Sequence, residues 1–191
     1  RLLLGSYTIE EIPHADYELL GYGTRVSNLE TTPQTVTLTA AEPAGSVTAF
    51  NKAKADGTFT ISPELVLQGR DLLEIPDRTG KDYAFELEMS LDGGVTWSRS
   101  GTRRASRVKL AFGEEHTYTD LVRGVTYRAT LLKDTSSLYQ VTDITTPQTH
   151  GMVTDPASGT AAFVPSAANQ GTGKATFVHD GGVHLMVDVE G

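Results

Sequence analysis

The stretch GSYTIEEIP, residues 5–13, decides the fold class, because its side chains alternate as those of a half-buried β-strand do. Successive side chains on a strand point to opposite faces, so Tyr7, Ile9 and Glu11 share one face. The two apolar members make this the core side, and Glu11 is therefore predicted to be buried. Glu10 points the other way and is predicted to face water. A buried carboxyl is costly without a partner, so Glu11 needs one.

The same period of two recurs along the chain, and helical patterns are nearly absent. The alternating runs are TVTLTA (35–40), YAFELEM (83–89), ATFVH (175–179) and VHLMVDV (183–189). Two Asp-Gly-Gly sequences, at 92–94 and 180–182, predict tight hairpins because glycine adopts positive φ at little cost. The sequence therefore predicts an all-β fold built from sandwiches.

An internal repeat predicts two related domains. The pentapeptide TTPQT occurs at 31–35 and again at 145–149, each time after a strand with a Gly-then-Tyr start and before a final β run. The predicted domains are residues 1–52 and 53–191. The first is expected to comprise only the C-terminal half of its fold, because it lacks the strands that precede the repeat in the second.

The closing run of the first domain contains a second polar side chain on a predicted core face. In SVTAFN, residues 46–51, the side chains of Val47, Ala49 and Asn51 point the same way. A buried carboxamide at Asn51 and a buried carboxyl at Glu11 both require partners. Two interpretations remain open: a structural pair, bonded to each other or to the backbone, and a reactive pair.

The reactive interpretation comes from a resemblance. GSYTIEEIPHADY (5–17) resembles the G-x-Y-x-I-x-E-x-x-P…Y motif, the E-box, of Cna protein B-type domains, and SVTAFNKA (46–53) is similar to the closing strand of that family. Such domains occur in Gram-positive pilins and cell-wall-anchored adhesins. The resemblance implies tandem immunoglobulin-like β-sandwiches and an intramolecular isopeptide bond, in which a lysine on the first strand attacks an asparagine carboxamide.

The resemblance also implies roles for individual residues. Glu11 is the catalytic acid that promotes the bond, and Asn51 is the crosslink acceptor. The donor lysine is expected on a strand upstream of Arg1. Neither nearby lysine suits the role, because Lys52 points away from the face of Asn51 and Lys54 lies just past the strand.

The second domain is predicted to lack this crosslink. Aligning Tyr127 with Tyr7 puts Leu131 at the position of Glu11. Aligning the last runs puts Asp188 at the position of Asn51, with its side chain predicted to point outward. The first strand of this domain, TFTISPELVL, has no lysine.

Composition excludes several classes of function. A formal net charge of −8, with 16 Lys and Arg, argues against binding to nucleic acid or to an anionic membrane. There are no cysteines, so disulfides and cysteine-based zinc sites are excluded. His179 and His184 flank the last predicted hairpin without a third ligand, so no metal site and no cofactor are expected. Glu86 and Glu88 share a strand face and are expected to be solvated, so no enzyme is predicted.

The predicted function is that of a structural stalk or shaft segment of a cell-wall-anchored surface protein or pilin. Its expected partners are neighbouring domains or pilus subunits, and its expected location is the extracellular cell surface. The alternative is an adhesin module that binds a host protein or glycan through loops such as 100–107 or 150–172. In that case the small-residue stretch 154–173 serves as a ligand loop or a flexible insert.

Overall fold

The computed structural model of the chain describes residues 2–66, 83–101, 106–132, 140–147 and 150–180. The chain divides into two compact units, Arg1–Lys54 and Ala55–Gly191. Strands form nearly all of the regular structure in the described residues, together with a short 3-10 helix at Ala167–Asn169. The predicted all-β class is therefore confirmed. None of the helices in the described ranges is long and apolar enough to cross a membrane.

The first unit contains five strands in two small antiparallel sheets. They are β1 Gly5–Ile9, β2 Tyr17–Arg25, β3 Asn28–Glu30, β4 Gln34–Leu38 and β5 Ala49–Ala53. One sheet pairs β1 with β4, and the other has the order β3-β2-β5. Tyr7 lies opposite Val36 in the first sheet, and Leu19 lies opposite Asn51 in the second. The first copy of TTPQT, residues 31–35, leads from β3 into β4 and so connects the two sheets.

The first unit buries little apolar surface. Tyr22 is the one large apolar side chain of its described residues that is buried, at 4% exposure. Several others remain in water, among them Leu3, Ile12 and Val26. Each large aliphatic side chain that moves from water into a core contributes about 1.5–3 kcal/mol, and this unit realises little of that stabilisation.

The second unit is a β-sandwich. Its strands are β6 Gly57–Val66, β7 Tyr83–Ser90, β8 Ser98–Arg99, β9 Arg107–Leu110, β10 His116–Leu121, β11 Thr126–Leu131, β12 Gln140–Thr145, β13 Met152–Asp155, β14 Thr160–Phe163 and β15 Thr172–Asp180. One sheet has the order β10-β6-β15-β12, and the other has the order β13-β14-β11-β7-β8, with β9 also paired to β7. The pairing of β15 with β6 is parallel, and the other pairings are antiparallel.

Aromatic side chains from both sheets form the core of the sandwich. Phe59 on β6 packs against Phe163 on β14 with ring centroids 5.4 Å apart, and Phe85 on β7 meets Phe177 on β15 at 4.9 Å. All four are fully buried. Each comes from an alternating strand, so the period of two that is visible in the sequence creates the inner faces of the two sheets. The immunoglobulin-like sandwich class is confirmed for this unit.

The hairpin predicted at residues 92–94 joins β7 to β8. Asp92 fixes its turn: one carboxylate oxygen accepts hydrogen bonds from the Ser90 hydroxyl and the Val95 amide, and both oxygens accept from the Thr96 amide. Gly93 has a φ of 73°, as the Asp-Gly-Gly sequence predicted. The other predicted hairpin, at 180–182, lies outside the described residues, as does the run 183–189.

The small-residue stretch 154–173 is not a flexible insert, so that prediction is wrong. It contains the end of β13, the whole of β14 and the 3-10 helix. Its turn is held by Asp155, whose side chain accepts hydrogen bonds from the backbone of Ala157 and Ser158. Phe163, within the same stretch, is fully buried. Small residues predicted a loop here, but local hydrogen bonds and one aromatic anchor keep the chain ordered.

Candidate functional site

Glu11 lies just beyond the end of β1, which closes at Ile9. Its position is fixed through the backbone, because its N–H donates a 2.7 Å hydrogen bond to the hydroxyl of Tyr22. Tyr22 belongs to β2, in the other sheet of this unit, and its ring is buried. The buried tyrosine therefore ties the segment that carries Glu11 to the sheet that carries β5.

Asn51 projects from β5 toward Glu11. Its Nδ2 donates a hydrogen bond to Oε2 of Glu11 at 3.0 Å, across 40 positions of sequence. The two residues that the sequence selected as a pair are thus in direct contact. The carboxylate touches the amide nitrogen, which is the atom that leaves when an amine replaces the carboxamide NH2 group.

Both side chains are more exposed than predicted. Glu11 is half-buried and Asn51 is exposed, so the expectation of a fully buried pair is wrong. Glu11 is also not part of a strand, although alternation had placed it on one. Alternation identifies which side chains share a face, but burial requires a second layer over that face. In the described part of this unit such a layer is largely missing, because Tyr22 is the one large apolar side chain that is buried.

A groove of about 310 Å³ lies beside Glu11. The charged or titratable residues among those that line it are Glu10, Glu11, His14, Glu18 and Lys54.

The two lysines near the groove each have another partner. The Lys54 ammonium donates to the carbonyl of Ala15 at 2.7 Å, and Lys52 forms an ion pair with Glu18 at 3.6 Å. That neither lysine is the donor to Asn51 stays a prediction from the sequence.

The pairing of the strands gives an internal comparison between the units. Leu19 and Val141 are each the second residue after a tyrosine, and each lies on the strand that pairs with the last described strand of its unit. Leu19 lies opposite Asn51, and Val141 lies opposite His179. In this register His179 of the second unit holds the position that Asn51 holds in the first, and we refer to it as the counterpart of Asn51.

The second unit has no carboxyl-carboxamide pair at this position in its described part. Leu131, which aligns with Glu11, is a core residue at 8% exposure. His179 is fully buried. Asp188, the residue that alignment of the last runs matched to Asn51, lies outside the described residues, as does His184.

The remaining candidates form structural contacts. Glu86 sits between Arg99 and Arg107 on the outer face of its sheet, and the hydrogen bond from Arg99 is the main reason that the pKa of Glu86 is lowered. Glu88 pairs with Arg128 at 2.7 Å. Both glutamates point outward as predicted, but their side chains are 15% and 27% exposed and are largely covered rather than solvated. No cluster of potential metal ligands occurs in the part of the chain that the structure describes.

Comparison with known proteins finds distant structural relatives. No protein-family model matches the chain, and no curated protein matches its sequence. Among solved structures, the major pilin from Streptococcus pyogenes is 17% identical with a TM-score of 0.44, over 93% of this chain and 70% of that chain. A bacterial adhesin from Mobiluncus mulieris that contains intramolecular disulfide, isopeptide and ester bond cross-links is 15% identical with a TM-score of 0.46, over 82% of this chain and 53% of that one.

A pilus-presented adhesin, Spy0125 (Cpa), is 16% identical with a TM-score of 0.40. The match covers 66% of this chain but only 27% of the adhesin, so the chain spans about a quarter of that protein's length. These likenesses are distant, and they assign no role to any residue of the chain.

Proposed function

We propose that this chain is a structural stalk segment of a Gram-positive surface protein or pilin. In this proposal the first unit is the C-terminal half of a Cna protein B-type domain, and Asn51 accepts an isopeptide crosslink from a lysine that Glu11 assists. The single observation that carries the proposal is the 3.0 Å hydrogen bond from Asn51 to Glu11. The E-box resemblance of residues 5–17 supports it.

The proposed reaction exchanges one amine for another. The lysine Nζ attacks the side-chain carbonyl carbon of Asn51, a new C–N bond forms, and the bond to the carboxamide nitrogen breaks to release ammonia. The proton lost by the lysine is transferred to the departing nitrogen through the carboxyl of Glu11, which already contacts that nitrogen. No cofactor or oxidant is needed, and the bond forms once per molecule, so the protein is not a turnover enzyme.

The sheet pairings suggest where the donor strand would lie. In the second unit the last described strand, β15, lies between β12 and the parallel strand β6. In the first unit β5 pairs with β2 alone among the described residues of that unit, so its other edge is free for a parallel strand. Likewise β11 lies between β14 and β7, whereas within the described ranges β1 pairs with β4 alone.

Completion of the unit would also change the chemistry of the pair. A strand at the free edge of β5, together with a second sheet layer, would cover side chains that are now in water, including Leu3 and Ile12. Burial of a carboxyl and an amine in an apolar layer favours their neutral forms, and a neutral amine is the nucleophile that the reaction requires. A covalent link between the first and last strands would then resist pulling from either end. The expected partners are neighbouring domains or pilus subunits at the cell surface.

Single-molecule force spectroscopy on the full-length protein tests the stalk proposal. With the crosslink present, the first domain cannot extend, and no unfolding step from it appears. Asn51→Ala should add one unfolding step, and Glu11→Ala should do the same because the bond no longer forms. Asn28→Ala and Glu42→Ala are the matched controls, because both residues are exposed and neither lines the groove beside Glu11. An unfolding step of the first domain that is equally frequent in all five proteins would overturn the proposal.

A further inference from the structure

The counterpart of Asn51 in the second unit, His179, is a fully buried histidine near the end of β15. Its ring centroid lies 4.5 Å from that of Tyr83 and 5.4 Å from that of Phe112. Its Nδ1 is 2.9 Å from the carbonyl oxygen of Phe177. A carbonyl only accepts, so Nδ1 carries the proton of the neutral ring and Nε2 carries a lone pair.

The other ring nitrogen is poorly prepared for a proton. Nε2 of His179 is buried and has no hydrogen-bond partner among the described residues. Protonation would make it a charged donor inside an aromatic cluster, and an unpaired buried charge is strongly destabilising.

Among the residues that the structure describes, the groups around the ring do not compensate for such a charge. The one titratable side chain that packs against the ring from β7 is Tyr83. The segment after β9 contributes the apolar ring of Phe112, and β6 contributes the backbone carbonyl of Glu64. The carboxylate of Glu64 is on the exposed face of its strand, and Asp180 lies on the opposite face of β15 from the ring. No ion pair reaches His179 in the described ranges.

We propose that His179 is an acid-sensitive lock on the end of the second sandwich where β15, β6, β12 and β7 meet. At neutral pH the uncharged ring fills the space between the sheets. At mildly acidic pH its protonation opens the pairing of β15 with β12 and β6 at that end. This proposal is independent of the crosslink in the first unit.

The direction of the pH effect follows from where the proton binds best. Burial lowers the pKa of His179 below its ordinary value of 6.5, and the nearby carbonyls of Phe177 and Glu64 oppose this only in part. The unfolded chain therefore binds the proton more readily than the folded one. The contribution of neutral His179 to the folding free energy is complete above the ordinary histidine pKa of 6.5. It decreases as the pH drops from there toward the lowered pKa. In that window the folding equilibrium constant decreases by up to about tenfold per pH unit.

Urea unfolding of the 191-residue chain, followed by Trp97 fluorescence, tests the proposal. Trp97 is the single tryptophan of the chain and lies in the second unit, so it reports that unit. The folding equilibrium constant of the wild type should fall between about pH 7.5 and about pH 5.5, by at most about tenfold per pH unit. His179→Phe, which keeps an aromatic ring against Tyr83 and Phe112, should flatten this dependence.

The control is His116→Gln. His116 is half-buried, and burial lowers its pKa as well, but its ring lies against Tyr118 on β10, an edge strand of the same sheet. This variant should keep most of the wild-type pH dependence. The same pH dependence in His179→Phe as in the wild type would overturn the proposal.

Two measurements on the wild type keep the proposal testable if a variant fails to fold. In an NMR titration the Cε1 proton of His179 should shift only below the ordinary histidine pKa of about 6.5, and titration of His179 at or above that value would contradict the lock. Hydrogen-exchange protection should fall on acidification first at Val141, which pairs with His179. Equal loss at the opposite end of the sandwich, around Thr58, would show a global effect instead and refute local opening.

Discussion

Asn169 is the residue whose replacement should most clearly destabilise the second unit. Its side-chain amide makes four hydrogen bonds to the backbone of the segments around β14. Oδ1 accepts from the amides of Ser166 at 2.9 Å and Gly171 at 3.1 Å. Nδ2 donates to the carbonyls of Val164 at 2.8 Å and His150 at 3.3 Å. The residue is 8% exposed. These bonds fix the point at which β15 begins, and therefore the register that β15 takes with its two neighbours.

The magnitude follows from the groups left without partners in Asn169→Ala. The Gly171 amide keeps a second acceptor, the carbonyl of Ser166 at 2.8 Å, so three backbone groups lose a bond rather than four. At about 1 kcal/mol for each hydrogen bond lost, the variant should lose about 3 kcal/mol of unfolding free energy. Asn169→Asp should cost at least as much, because it turns a carboxylate oxygen toward the carbonyl of Val164.

Urea denaturation with Trp97 fluorescence measures both losses. Gln170→Gly is the matched control on the next residue: Gln170 has a φ of 56°, and glycine relieves the strain of that conformation, so stability should stay the same or rise by up to about 1 kcal/mol. A loss below about 1 kcal/mol for Asn169→Ala would refute the reasoning, because it would mean that water replaces the side chain without penalty.

Two further substitutions test the sandwich. The pKa of Asp92 is held well below its usual range, mainly by the hydrogen bond from Ser90 and next by those from Thr96. The stabilisation that this carboxylate contributes is therefore complete above the ordinary Asp pKa and is lost only in stronger acid. Asp92→Asn should remove this acid dependence and speed hydrogen exchange of the Thr96 amide. Gly173→Ala should cost about 2 kcal/mol in urea denaturation, because the added methyl group would lie 2.7 Å from a ring carbon of the buried Phe163; an unchanged midpoint would contradict this packing.

The parts of the fold that follow from local sequence could be predicted. The alternation in YAFELEM places Phe85 and Leu87 in the core and the two glutamates outside, and the turn at Asp92 needs only the residues around it. The contact between Glu11 and Asn51 could also be anticipated, because two polar side chains predicted on core faces of one unit need partners.

What could not be predicted depends on partners distant in the sequence. The exposure of Asn51 is set by what covers its sheet, and no property of β5 itself encodes that. The correspondence of His179 with Asn51 appears only in the pairing of Val141 with His179, which joins two separate strands. Alignment of the last runs selected Asp188, which lies outside the described residues, so that assignment stays a prediction.

Peptide mapping of the mature full-length protein by mass spectrometry tests the central claim most directly. The account predicts that the peptide containing Asn51 is recovered joined to a lysine-containing peptide, with a mass lower than the sum of the two by about 17 Da, the mass of the ammonia released. In Glu11→Ala the two peptides should be recovered separately. Recovery of the Asn51 peptide unlinked, with its carboxamide intact, from the wild-type protein would contradict the account.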